Sequence, residues 1–103
     1  MRVPRTFVFV DISGFTNYTT NNGDVAAGAL LANWRRVTRD LASETGVRIA
    51  KWLGDGCMVV SVDRDACIAF TLELQQRAAE VCAPLALRIG IASGHAQIGR
   101  AHV

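Results

Sequence analysis

Apolar positions along this chain switch between a spacing near two and a spacing near three to four, and the switches mark out its elements. Phe7-Val8-Phe9-Val10 is a continuous β-branched and aromatic run. It predicts a first strand over 6–12, covered on both faces. "SGFTNYTTNNGD" (13–24) is rich in Thr, Asn and Gly, and predicts a turn with room for a short helix. Asp24 is suited to cap a helix that starts at Val25. From Val25 to Glu44, Leu30, Trp34, Val37 and Leu41 recur at helical spacing, with Arg35, Arg36, Arg39 and Asp40 mostly off that stripe. Gly46 is a natural stop. "VRIAKWL" (47–53) and "CMVVSV" (57–62) read as strands joined by "GDG" (54–56), a hairpin with Asp55 at its tip. Residues 64–82 predict a second helix with Cys67, Phe70, Leu74, Ala78 and Val81 on one face, and Pro84 prevents its continuation. "LALRIGIASG" (85–94) predicts a last strand.

The order β-α-β-β-α-β is that of a split βαβ unit. It predicts an α+β, ferredoxin-like core: an antiparallel sheet with helices on one face. In such a sheet the first strand is central, and the first strand of the hairpin is expected close to it.

Composition adds mainly exclusions. With 103 residues, half of them apolar and 19% charged, the chain suits one globular domain. The net charge of +2 and the lack of any Lys/Arg run longer than Arg35-Arg36 argue against a nucleic-acid partner. Cys57, Cys67 and Cys82 are an odd number without a C-x-x-C pair, which predicts reduced thiols and a cytoplasmic setting. The apolar runs fall far short of the about 20 residues needed to cross a bilayer. The N-terminal run is too short, and acidic too soon, for a secretory signal.

The candidate chemistry rests on two aspartates. Asp11 ends the first strand and Asp55 tips the hairpin, so the fold can bring both to one place. Two close carboxylates repel, and a divalent cation removes the conflict. Carboxylate oxygens suit Mg²⁺ or Mn²⁺, which keep their remaining positions for water and phosphate oxygens. After Asp11, Gly14 permits close approach of a ligand, and the N–H groups of Gly14, Phe15 and Thr16 are suited to a phosphate at a helix start. Each aspartate alone is equally compatible with ordinary turn chemistry.

Three segments, "FVFVDISGFT", "KWLGDGCMVV" and "LRIGIASG", together resemble signatures of the class III adenylate/guanylate cyclase catalytic domain, in that family's order and over about residues 6–96. The resemblance implies a head-to-tail dimer, homomeric or heteromeric, with active sites at the interface. It implies conversion of a nucleoside triphosphate to the 3′,5′-cyclic monophosphate and pyrophosphate with two Mg²⁺ or Mn²⁺. On it, Asp11 and Asp55 match the metal-binding aspartates and the carbonyl of Ile12 a further metal ligand. Gly14, Phe15 and Thr16 match the triphosphate-binding backbone, Lys51 an adenine contact that favours ATP, and Arg88 a phosphate contact. Trp34 and Trp52 are expected to be packing or dimer-surface residues rather than base-stackers, Cys57 is expected to pack, and His95 and His102 lack ligand spacing.

The family pattern continues with an adenine-selecting aspartate and an Asn/Arg pair, for which this sequence has no counterpart. Residues 98–103, "IGRAHV", match the translation of a common short-read sequencing adapter. The expectation is a partial cyclase domain over 1–97 followed by a non-native tail, inactive alone, whose intact parent makes cyclic AMP. Two rival expectations stand beside it. One is a non-catalytic nucleotide- or metal-binding regulatory module. The other is a different palm-like nucleotidyl transferase, against which the absence of a G-G-D/E-E-F run speaks.

Overall fold

The computed structural model describes residues 2–97; His102 and the tail 98–103 lie outside the described residues. The elements are β1 (Arg2–Ile12), α1 (Phe15–Thr45), β2 (Arg48–Leu53), β3 (Gly56–Ser61), α2 (Arg64–Val81) and β4 (Leu87–Gln97). They form one antiparallel sheet in the order β2-β3-β1-β4, the split βαβ topology expected from the sequence. The neighbour of β1 is β3, the second strand of the hairpin; β2 lies at the sheet edge. The expectation that the first hairpin strand approaches β1 is thereby corrected. The short 54–55 turn makes β3 antiparallel to β2, and β3 then fills the place beside β1.

The sheet has one covered face. Val8, Val10 and Ile12 of β1 are buried against α1 and α2 with Trp34, Leu41, Phe70 and Leu74. Phe7 is only half-buried and Phe9 is 46% exposed on the other face, so the expected two-sided cover of β1 is not found. An unbroken apolar run does not reveal which of its alternating positions is left open.

The segment 13–24 is mostly helix. Thr, Asn and Gly favour turns because their side chains compete for backbone partners, or because glycine has none to restrict it. Here Thr19, Thr20 and Asn22 donate to the carbonyls four residues back, on Phe15, Thr16 and Tyr18, leaving the helical ladder intact. Gly23 interrupts α1 with φ 89° and ψ 169°, a conformation glycine adopts without a Cβ clash, and the helix resumes beside Asp24. Along the second part of α1 the fully buried position is Thr38, not its half-buried neighbour Val37. Its hydroxyl donates to the Trp34 carbonyl at 2.7 Å, which removes the cost of burying it. α2 begins at Asp63, whose carboxylate accepts from the N–H groups of Asp65 and Ala66.

β2 carries the irregularity that matters most. Ile49 and Trp52 both pack on the covered side although they are three residues apart, which a strand of strict period two forbids. A register shift between Ile49 and Lys51 resolves this: Ile49 opposes Val59 and Lys51 opposes Met58, leaving Ala50 as the extra residue of a bulge. Trp52 then meets Trp34 edge-to-face at 5.7 Å, with the Arg35 and Arg39 guanidinium groups over its ring at 5.4 and 6.0 Å. Lys51 is turned to the open face.

Two glycines give opposite expectations for one substitution. A Cβ on Gly56 would lie 2.5 Å from the carbonyl oxygen of Val10, whereas one on Gly28, inside α1, would meet nothing within 4 Å. Gly56→Ala is expected to lower stability by about 1–3 kcal/mol, and Gly28→Ala to raise it by about 0.5–1 kcal/mol. Urea unfolding midpoints of the two variants against the parent chain check both signs.

Candidate functional site

The site forms where β1, β3 and β4 present their open face next to the hairpin turn. Two rows of directly opposed residues cross this face. One runs Leu53, Gly56, Asp11, Arg88; the next runs Lys51, Met58, Phe9, Gly90. A cleft of about 560 Å³ lies over them, lined by Asp11, Asp55 and Arg88 together with the apolar Phe9, Leu53 and Ile89. Phe9 is its exposed floor, since Gly90 opposite it has no side chain.

Asp55 reaches the cleft because the turn is fastened at several points. The Ile12 N–H donates to the Asp55 carbonyl at 3.0 Å. Gly56 packs without a side chain against the Val10 carbonyl. From the other side Arg35 of α1 donates to the Gly54 carbonyl at 2.9 Å. The two aspartates, separated by 43 intervening positions in the sequence, therefore share one cleft.

Beyond Asp11 the chain turns sharply into α1. Gly14 sits at φ 79° as the helix N-cap, and no side chain caps that end. The first helical turn thus keeps N–H groups without intrahelical acceptors, the usual feature of anion sites at helix starts. The Ser13 N–H donates to the Ala86 carbonyl at 2.8 Å, which ties this loop to the start of β4.

The sequence-derived candidates therefore fall into three places. Asp11, Asp55 and Arg88 meet in the cleft. Gly14, Phe15 and Thr16 form the uncapped helix start next along the chain. Lys51 is exposed on the open face of the edge strand β2, two strands across from Asp11 and one row along, and does not line the cleft. The Ile12 side chain is buried in the core, so only its backbone can serve a ligand. Arg88 donates to Asp11 Oδ2 at 2.6 Å.

Among the described residues, no three His, Cys, Asp or Glu side chains gather around one point. Two carboxylates and a backbone carbonyl still fit Mg²⁺ or Mn²⁺. Such ions commonly take one or two protein carboxylates and complete their shell with water and substrate phosphates. The same donors suit zinc poorly, which prefers His and Cys.

Sequence reasoning misses four residues that build the site. Gly56 reads as a turn glycine, but its role is close approach to β1. Arg35 reads as off the stripe, but it pins the turn and covers Trp52. Leu53 and Phe9 read as plain strand residues, yet they line the cleft. The paired glycines of "GDG" are the only signal in the sequence.

The expected packing role of Cys57, Trp34 and Trp52 is found, and all three cysteines are free and buried. Burial pushes the thiol of Cys57 up to about 12 and that of Cys82 up to about 11. Cys67 is raised too, first by burial and then by the nearby Asp63 carboxylate. No nucleophilic thiolate is available in the cleft.

The N-terminal segments, the hairpin and β4 all fall within a match to the family model described as the adenylate and guanylate cyclase catalytic domain, over residues 4–101. Among solved structures, the adenylyl cyclase CyaB from P. aeruginosa superimposes with TM-score 0.85 at 25% identity, over 92% of this chain and 58% of that one. The guanylate cyclase domain of RhGC from Catenaria anguillulae, solved in complex with GTP, gives TM-score 0.84 at 20% identity, over 99% of this chain and 64% of that one. A bacterial light-regulated adenylyl cyclase gives 0.84 at 20% identity, over 98% and 60%. The last two likenesses speak to the fold alone. The chain spans 58–64% of the length of these three structures. No curated protein matches the sequence. Among the described residues no helix is long and apolar enough to cross a membrane.

The buried thiols set an alkaline limit on stability. An unfolded chain releases thiol protons from about pH 9, while the folded chain holds those of Cys57 and Cys82 to about 12 and 11. Over that window the folded state binds more protons, so stability falls as pH rises. Cys57→Ala is expected to flatten this decline, read from unfolding midpoints between pH 8 and about 11. At neutral pH all three thiols are expected to resist a thiol reagent until the chain is denatured.

Proposed function

Since the chain belongs to the adenylate and guanylate cyclase catalytic domain family, we propose that the protein containing it converts ATP to 3′,5′-cyclic AMP and pyrophosphate. The observation that carries this reading is the meeting of Asp11 and Asp55 in one cleft beside an uncapped helix start. That combination supplies donors for divalent cations and for phosphate at adjacent positions.

In this reading the carboxylates of Asp11 and Asp55, with the Ile12 carbonyl, hold Mg²⁺ or Mn²⁺. The bound ions supply acidification of the ribose 3′-hydroxyl and neutralisation of the departing pyrophosphate. The N–H groups of Gly14, Phe15 and Thr16 hold phosphate oxygens at the positive end of α1. Lys51, on the same face as Asp11, reads the base and favours adenine. Arg88 adds positive charge for the phosphates. Phe9 and Leu53 keep water from part of the cleft floor.

Exposed Phe9 and Leu53 support a dimer, since apolar side chains on an open sheet face favour cover by a second domain. We place the site at that interface, in the cytoplasm. In this reading the described residues serve metal and phosphate, and the partner domain supplies the further groups around ribose and base. The 103-residue chain alone is therefore expected to be inactive.

The test is cyclisation by the intact domain given equal ATP and GTP with Mn²⁺. Cyclic AMP is expected as the main product. Asp11→Asn and Asp55→Asn are each expected to lower kcat by at least about 100-fold, with the fold kept by circular dichroism. Cyclic GMP as main product would overturn the assignment of Lys51. An intact, folded domain that binds nucleotide without turnover would instead identify a regulatory module.

A further inference from the structure

Arg88 occupies a carboxylate oxygen inside the cleft. It stands directly across β1 and β4 from Asp11, and its Nη2 lies 2.6 Å from Asp11 Oδ2. Both side chains line the cleft that holds Asp55. This is an unusual place for a simple surface pair, because the same oxygen is a donor that a divalent cation needs. Of the ion pairs among the described residues, the other two both belong to Arg77 on the helix side.

We propose that Arg88 is an internal counter-ion that neutralises and aims Asp11 until a divalent cation displaces it. Metal entry and release of a free guanidinium are then one event. The inference rests on the proposed metal-binding role of Asp11 and Asp55.

Three observations carry it. First, the two aspartates line one cleft, and the Arg88 guanidinium is paired with one of them there. Second, the pair is weak enough to break. The Arg88 and Asp11 side chains are 72% and 41% exposed, so the pair is screened by solvent, and a divalent charge outcompetes a monovalent one for the same oxygen. Third, the released guanidinium has a destination. Ala86, two residues before Arg88, accepts from Ser13 N–H, so the start of β4 is fastened to the loop that opens the uncapped end of α1. In the proposal, a phosphate held at that helix start is the partner the freed Arg88 side chain takes. Arg88 is thus a positioning residue for Asp11 in one state and a phosphate ligand in the other, which couples metal binding to phosphate binding.

The experiment uses the 103-residue chain and Mn²⁺ alone, with free Mn²⁺ read by electron paramagnetic resonance. Arg88→Gln is expected to tighten Mn²⁺ binding by about two- to five-fold, the range expected for loss of an exposed ion pair. The gain is expected to shrink as monovalent salt is raised. Arg64→Gln, which removes the same charge from the start of α2, is expected to leave the affinity unchanged. If Arg64→Gln tightens binding as much as Arg88→Gln, net charge is the cause and the counter-ion role is overturned. If wild type and Arg88→Gln bind equally while Asp55→Asn loses binding, the counter-ion role fails and the metal site stands. If Asp55→Asn binds Mn²⁺ as wild type does, the metal site fails and the inference falls with it. A second readout is the Arg88 guanidinium NMR signal during Mg²⁺ titration. Restricted rotation that is released as the Asp11 and Asp55 resonances shift supports displacement. A signal that stays restricted while they shift overturns it.

Discussion

The turn between β2 and β3 is held against the end of β1 by the hydrogen bond from Ile12 N–H to the Asp55 carbonyl and by the missing side chain of Gly56. The rest of the site depends on that contact. It requires a residue without a Cβ, because any other would press on the Val10 carbonyl. Once made, it sets Asp55 beside Asp11 with the backbone of both strands already paired. No hydrogen bond between the two carboxylates contributes to this approach among the described residues. Their proximity is imposed by backbone geometry, and the Arg35 bond to Gly54 reinforces it from the helix side.

The sheet separates stability from chemistry. Its covered face carries Val8, Val10, Ile12, Cys57 and Val59 against Trp34, Phe70 and Leu74. Its open face carries Asp11, Arg88, Phe9 and Lys51. Alternation makes this separation automatic along β1, β3 and β4. Along β2 it is not automatic, and the bulge at Ala50 restores it. Without that extra residue, a strand that buries Ile49 would bury Lys51 as well and expose Trp52. The same bulge keeps Lys51 on the open face, while Arg35 and Arg39 stack on Trp52.

The two ends of the site are built differently. The turn that carries Asp55 is bonded through its backbone to β1 and to α1. The first part of α1, after the αL glycine at position 14, ends at the Gly23 interruption and is bonded internally by threonine and asparagine side chains.

Much of this protein was legible in its residues. The order of elements followed from apolar spacing, because each period belongs to one backbone geometry. The family resemblance followed from three short segments, and Asp11, Asp55 and Arg88 were named from them. Other features were not legible, for a common reason. Which face of Phe7–Val10 is open, which hairpin strand neighbours β1, and whether Thr38 or Val37 enters the core all depend on what packs opposite. The same is true of Gly56, whose need is set by an oxygen 46 positions away in the chain, on Val10. The pairing of Arg88 with Asp11 is likewise a fact of strand register. Local sequence determined the elements and the chemical groups they carry; only tertiary structure decided which groups face one another, because that depends on distances between strands that no local propensity encodes.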